Sequence, residues 1–229
     1  MRSVRTVSVY VEDDVGLAFD HGTAAWVFDL DLWGVCGQGP DEPSALADLR
    51  RRVPNDVDLA VAERIEGDEQ AFLRDHQPST AQERQITMAI LAETRPQTLH
   101  LVGSNSDRLL DWDDASRVLP SFARWRTLRQ IAWHIADTES RYYLPMVGLG
   151  YRERAANLLT ELRDSFAHVR KTLASMPKDM LREVDGQTWT SAKVLRRLAW
   201  HERGELAVMR SLHDRGTRTL SRTDGTLCT

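Results

Sequence analysis

The chain has 229 residues, 41% of them hydrophobic and 28% charged, with a formal net charge of −4. That is enough apolar material for one large or two modest domains, and it excludes global disorder. No apolar run approaches the ~18 residues needed to cross a bilayer, and the two cysteines, Cys36 and Cys228, lack CxxC spacing, which sets aside a membrane span, a disulfide framework and a cysteine metal site.

The charge divides along the chain. Residues 1–76 hold 16 Asp/Glu and 7 Lys/Arg, and residues 77–229 hold 18 and 23, so the first part is acidic and the second basic. This predicts two units that dock on one another. Surface chance with an Arg-rich coding bias would give the same split, since only three of the thirty basic residues are Lys. The N-terminus alternates instead of forming a signal-peptide core, so a cytoplasmic location is expected.

In chain order, Val4, Val7, Val9 and Val11 interleave with Thr6, Ser8 and Tyr10, a strand pattern. A second strand is predicted within Gly22–Leu30 and a glycine-punctuated third over Leu32–Gly39. A helix follows over Ser44–Val53, with Ala45, Leu46, Leu49 and Val53 on one side, then a strand over Asp58–Ile65. Residues 71–79 read as a polar linker between an α+β unit at 1–70 and a helical unit at 80–216.

The helical unit opens at Ser79-Thr80, and Pro96 should kink or end the first rod. A second helix runs from Thr127 to about Leu144, opened by a capping box between Thr127 and Gln130. A third carries Ala155, Leu159, Leu162, Phe166, Val169 and Leu173 as an apolar stripe. The fourth spans Thr190–Arg215, with Gly216 as its C-terminal cap and residues 217–229 as a flexible tail. The fold class expected is an α+β N-terminal domain followed by an all-α, up-down four-helix bundle.

On the fourth helix Val194, Leu198, His201, Glu205, Val208 and Leu212 recur at steps of three and four, which places them on one face. His201 and Glu205 are the wrong chemistry for a core unless something pairs them. Leu128-Arg129-Gln130-Ile131-Ala132-Trp133-His134 echoes Leu195-Arg196-Arg197-Leu198-Ala199-Trp200-His201, and each copy follows a Trp and a Thr: Trp125 and Thr127, then Trp189 and Thr190. Two helices that start alike can bring their histidines to one depth, so His134, His201 and Glu205 form a candidate metal set. The alternative is a buried His201–Glu205 hydrogen bond with no ion. Trp133 and Trp200, ~100° round from the histidines, are expected to pack between helices. Asp137 and Glu139 are candidates for orienting the ligands from behind or, equally, solvated surface charges. His21, His76, His100, His168 and His213 show no partner pattern, and the Arg-rich stretches at 50–52 and 124–129 read as helix-surface charge, so no nucleic-acid partner is expected.

Two resemblances follow from these residues. Leu30–Gly39, followed by Glu42, Ala45, Leu46, Leu49 and Arg50, resembles HicB-like antitoxin domains, with Val35 separating the usual Gly-Cys pair. That implies a compact sheet with one helix, used to bind a protein partner. The segments Trp125–Glu139 and Trp189–Glu205 resemble the DinB superfamily of helical proteins, which includes thiol-dependent transferases. This resemblance implies a divalent metal (Zn, Ni or Mn) held by one His on the second helix and two side chains four apart on the fourth. Here those are His134, His201 and Glu205, in the order His-then-Glu where the commonest pattern has two histidines. It further implies a small-molecule substrate and a low-molecular-weight thiol, with transfer, isomerisation or hydrolysis as the reaction; a homodimer is expected as well. The competing reading is a non-enzymatic binding or regulatory protein whose metal site is structural or vestigial.

Overall fold

The structure, a computed structural model, describes residues 5–226, with side chains as far as Arg222. The predicted strand start at Val4, Cys228 and the end of the predicted tail lie outside the described residues.

Four strands, β1 (Arg5–Val15), β2 (Gly22–Val27), β3 (Cys36–Gly39) and β4 (Val57–Glu66), form one sheet in the order β3-β2-β1-β4. β1 is antiparallel to β2 and parallel to β4. The alternation of the strands gives the sheet two different faces. Val7, Val9, Val11, Ala25 and Val27 pack under α1 (Glu42–Arg52) through Ala45 and Leu49. The opposite face, carrying Glu12, Ala24, Trp26 and Cys36, is also buried, and for it the cover is the helical part of the chain. The predicted third strand begins only at Cys36, because Leu30–Leu32 turn as a 3-10 helix capped by Asp29.

The helical part contains α2 (Ala81–Gly103), α3 (Asp107–Leu110), α4 (Leu128–Asp137), α5 (Leu144–Met146), α6 (Leu158–Ser175) and α7 (Ser191–Thr226). α2 packs on α6 and α7, and α4 packs on the same two. The capping boxes at Thr80/Glu83 and Thr127/Gln130 are both formed. Pro96 does not end α2, which continues to Gly103; on either side of it Thr94, Arg95 and Thr98 are buried. Between α4 and α5 the chain widens into a π-helical segment, Thr138–Tyr143. A hairpin of β5 (Leu181–Val184) and β6 (Gln187–Thr190), not foreseen from the sequence, precedes α7. Gly216 does not cap α7, which continues to Thr226; instead it lets the helix pass close to Leu109 and Trp112.

The two parts meet along the start of α7, where every residue from Ser191 to Ala199 is buried. Arg197 donates to Glu12 (3.0 Å) and Glu69 (2.8 Å), Lys193 pairs with Glu69 (3.0 Å), and Arg196 donates to Asp75 (2.7 Å). All the acids come from the acidic stretch and all the cations from the basic one. The polar connecting residues are themselves packed, with Phe72 and Asp75 buried.

Candidate metal centre

The centre is built from two helices and the residues that steady them. α4 leaves its capping box at Thr127 and presents His134 two turns later, while α7 presents His201 and Glu205 one turn apart. His134 Nε2 and His201 Nε2 face each other at 3.1 Å, and Glu205 Oε1 lies 3.9 Å from the first and 4.0 Å from the second. Trp125, from the loop before α4, stacks on the His134 ring at 3.5 Å with an interplanar angle of 9°. The π-helical segment brings Thr138 Oγ1 to 3.1 Å from His134 Nδ1 and sets Tyr143 edge-on to His201. This leaves the Nε2 of His134 facing the other two groups.

Burial governs the electrostatics. Desolvation pushes the His134 pKa down to about 4 and that of His201 well below the ordinary histidine value, with His134 itself contributing to the latter. Both imidazoles are therefore neutral near pH 7, the form that binds metal. Desolvation raises Glu205 to about 7, opposed only in part by Arg117. Glu205 Oε2 and His201 Nδ1 are buried without a hydrogen-bond partner. At 4.0 Å the alternative, a His201–Glu205 hydrogen bond, is not formed. Atoms bonded to one ion at about 2.0–2.2 Å each can stand at most ~4.4 Å apart, and the three facing atoms meet that limit. The two neutral Nε2 atoms, which otherwise share a single hydrogen bond, and Glu205 Oε1, whose charge Arg117 answers only in part, make a donor set that fits a divalent cation.

A model of the DinB superfamily matches residues 90–209, more than half of the chain. The chain belongs to the DinB superfamily. The match runs from within α2 to within α7 and contains His134, His201 and Glu205; it does not reach residues 1–70, so it lends nothing to the HicB-like resemblance. No curated protein and no solved structure matches the chain.

In this DinB protein the centre opens into a cavity of about 570 Å³ between the two parts of the fold. Its lining joins the candidate ligands, Trp125 and Tyr143 to Asp14, Asp20 and Asp68 of the N-terminal part. Several sequence expectations change here. Asp137 faces Arg141 (2.7 Å) and Arg154 (3.0 Å), and Glu139 is buried against Arg95 (2.6 Å), so the group steadying His134 is Thr138 instead. Trp200 lines the cavity and meets Trp26 edge-on, whereas Trp133 lies under Arg154. Val208 is exposed, while Glu202, Leu206 and Met209 are buried, because the core side of α7 drifts off the predicted stripe. Glu202 is answered by Arg95, and no local pattern marks that pair, 107 residues apart. Cys36 is buried and its thiol pKa strongly raised by desolvation, which leaves it an inert strand residue.

Proposed function

We propose that this DinB protein is a metal-dependent enzyme for a small molecule, with a divalent cation (Zn, Ni or Mn) held by His134, His201 and Glu205. The reaction class is thiol transfer, isomerisation or hydrolysis, the thiol following from the resemblance to thiol-dependent members. The observation that carries the reading is the convergence of two neutral imidazoles and an unpaired buried carboxylate at the edge of a cavity large enough for a substrate. When bound there, the cation supplies Lewis acidity and lowers the pKa of a thiol or water presented to it. The chain does the rest. Trp125 and Thr138 hold the His134 ring, Tyr143 packs against His201, and Trp125 and Trp200 line the cavity beside them.

The test is elemental analysis of the full chain after incubation with zinc, nickel or manganese and removal of excess metal. One ion per chain is expected, lost in His134→Ala and in His201→Ala. A wild type that retains no metal, or a His134→Ala variant with unchanged content and melting temperature, overturns the proposal. Loading should also raise the wild-type melting temperature, since ligand at ~100 times Kd adds about 2.7 kcal/mol.

A further inference from the structure

A second cavity, of about 690 Å³, shares Leu17, Trp125, Trp200 and Glu205 with the first. The two chambers thus meet at Glu205, and they carry opposite charge. The first is walled by Asp14, Asp20 and Asp68. Asp20 accepts from the Ser121 N–H and hydroxyl, and Asp68 from the Gly16 N–H and the Gln187 amide, so both acids are met by neutral donors and not by cations. The second chamber is a groove bordered by Arg52, Arg117, Arg203 and Arg215, and among the described residues the only acid in its lining is Glu205.

Two of the four arginines are neutralised where they stand, Arg52 by Asp48 (2.8 Å) and Arg215 by Asp114 (3.0 Å). Arg117 and Arg203 are not. Arg117 donates to the carbonyl of Arg126 (2.6 Å), and Arg203 donates to the carbonyl of Trp33. A carbonyl accepts a hydrogen bond but brings no negative charge, so each guanidinium stays a full cation with most of its five donors uncommitted. Arg117 is moreover half-buried and crowded by Arg126 and Arg215. Asp113 lies near Arg117 and Glu93 near Arg203, but among the described residues neither guanidinium has a carboxylate within ion-pair distance, and with Glu205 committed to the metal neither has one inside the groove. An anion entering from the centre meets carboxylates on one side and these arginines on the other.

We propose that the groove binds the anionic group, a carboxylate or a phosphate, of the small molecule that reacts at the centre, with Arg117 and Arg203 as its binding residues. Trp125 and Trp200 line the passage between the group so held and the candidate ligands. The inference rests on the metal reading for what happens to the bound molecule, but the groove's anion binding is read out independently of it.

The experiment is calorimetric titration of the full chain, metal-free and zinc-loaded, with succinate, with inorganic phosphate and with neutral succinamide. Saturable binding of succinate or phosphate, and none of succinamide, is expected, weaker in the metal-free form, where Glu205 still faces Arg117, than in the zinc-loaded one. The tighter of the two anions assigns the class. Arg117→Gln and Arg203→Gln should each weaken binding tenfold or more, with Arg117→Lys partly restoring it. Arg203, exposed on α7, serves as the readout should Arg117→Gln fail to fold. Absence of saturable anion binding, equal binding of succinamide, or unchanged affinity in the double Gln variant overturns the proposal. Failure to retain zinc with anion binding intact would instead sink the metal reading alone.

Discussion

Glu205 is the costliest side chain of the centre when no cation is present, a carboxylate among neutral imidazoles. Its folded pKa of about 7 exceeds the ordinary 4.5, so the folded state holds this proton longer than the unfolded state. The group is therefore harmless below pH ~4.5 and progressively destabilising as pH rises to about 7. In metal-free protein, Glu205→Gln should leave stability nearly unchanged at pH 4.5 and raise it by up to about 3 kcal/mol at pH 8, as measured by urea unfolding at the two pH values. The histidines act in the opposite sense, their contribution being present above pH ~6.5 and lost as pH falls toward 4, but they are common to both proteins and cancel in the comparison. Thr138 belongs to the same scale. If it orients His134 as the 3.1 Å contact indicates, Thr138→Val should lower zinc affinity about 10–100-fold in a chelator competition while leaving the fold intact.

Helix starts were legible because caps are local chemistry. Thr80 and Thr127 cap the helices that follow them, whereas the third rod, read from Ala155, starts only at Leu158 behind an Asn157 cap. Helix ends and close approaches were not, because they depend on what lies across the gap. Gly34 shows why. Its φ is +75°, and a Cβ there would lie 2.8 Å from Ala199 Cβ and 2.9 Å from the Trp200 nitrogen. The 3-10 turn can touch α7 only through a residue with no side chain. Gly34→Ala should cost about 2–4 kcal/mol, read as a lower denaturant midpoint with an unchanged slope. Gly216 is a smaller case of the same kind, its missing Cβ leaving room for Leu109 and Trp112 against α7.

At the scale of the molecule, the acidic and basic stretches are joined by buried ion pairs and not by a loose tether. Arg197 answers both Glu12 and Glu69, and all three are shielded from water. Removing one partner from such a set leaves buried charge without compensation. Arg197→Met should therefore destabilise the chain by about 3–5 kcal/mol, measured by thermal or urea unfolding. The same contact predicts one cooperative transition for the whole chain, coincident by tryptophan fluorescence and far-UV circular dichroism. Two separated transitions would show that the sheet and the helices fold independently.

By itself the sequence determined what local rules encode: the strands through their alternation, the helices through their caps and apolar steps, and the three candidate ligands through a repeated helix start and a His–Glu step of four. It also held the charge division whose opposite signs meet across the interface. Only the tertiary structure decided which partner each face would find. A period identifies a face but carries no address for what covers it, so the pairing of Arg95 with Glu202, the docking of the second sheet face on α7 and the placing of Trp200 in the cavity depend on contacts between residues more than a hundred positions apart. For the same reason the stripe on α7 was right at His201 and Glu205 and wrong at Val208. The helix is covered from two directions at its start and from fewer beyond, and no count along the chain contains that change.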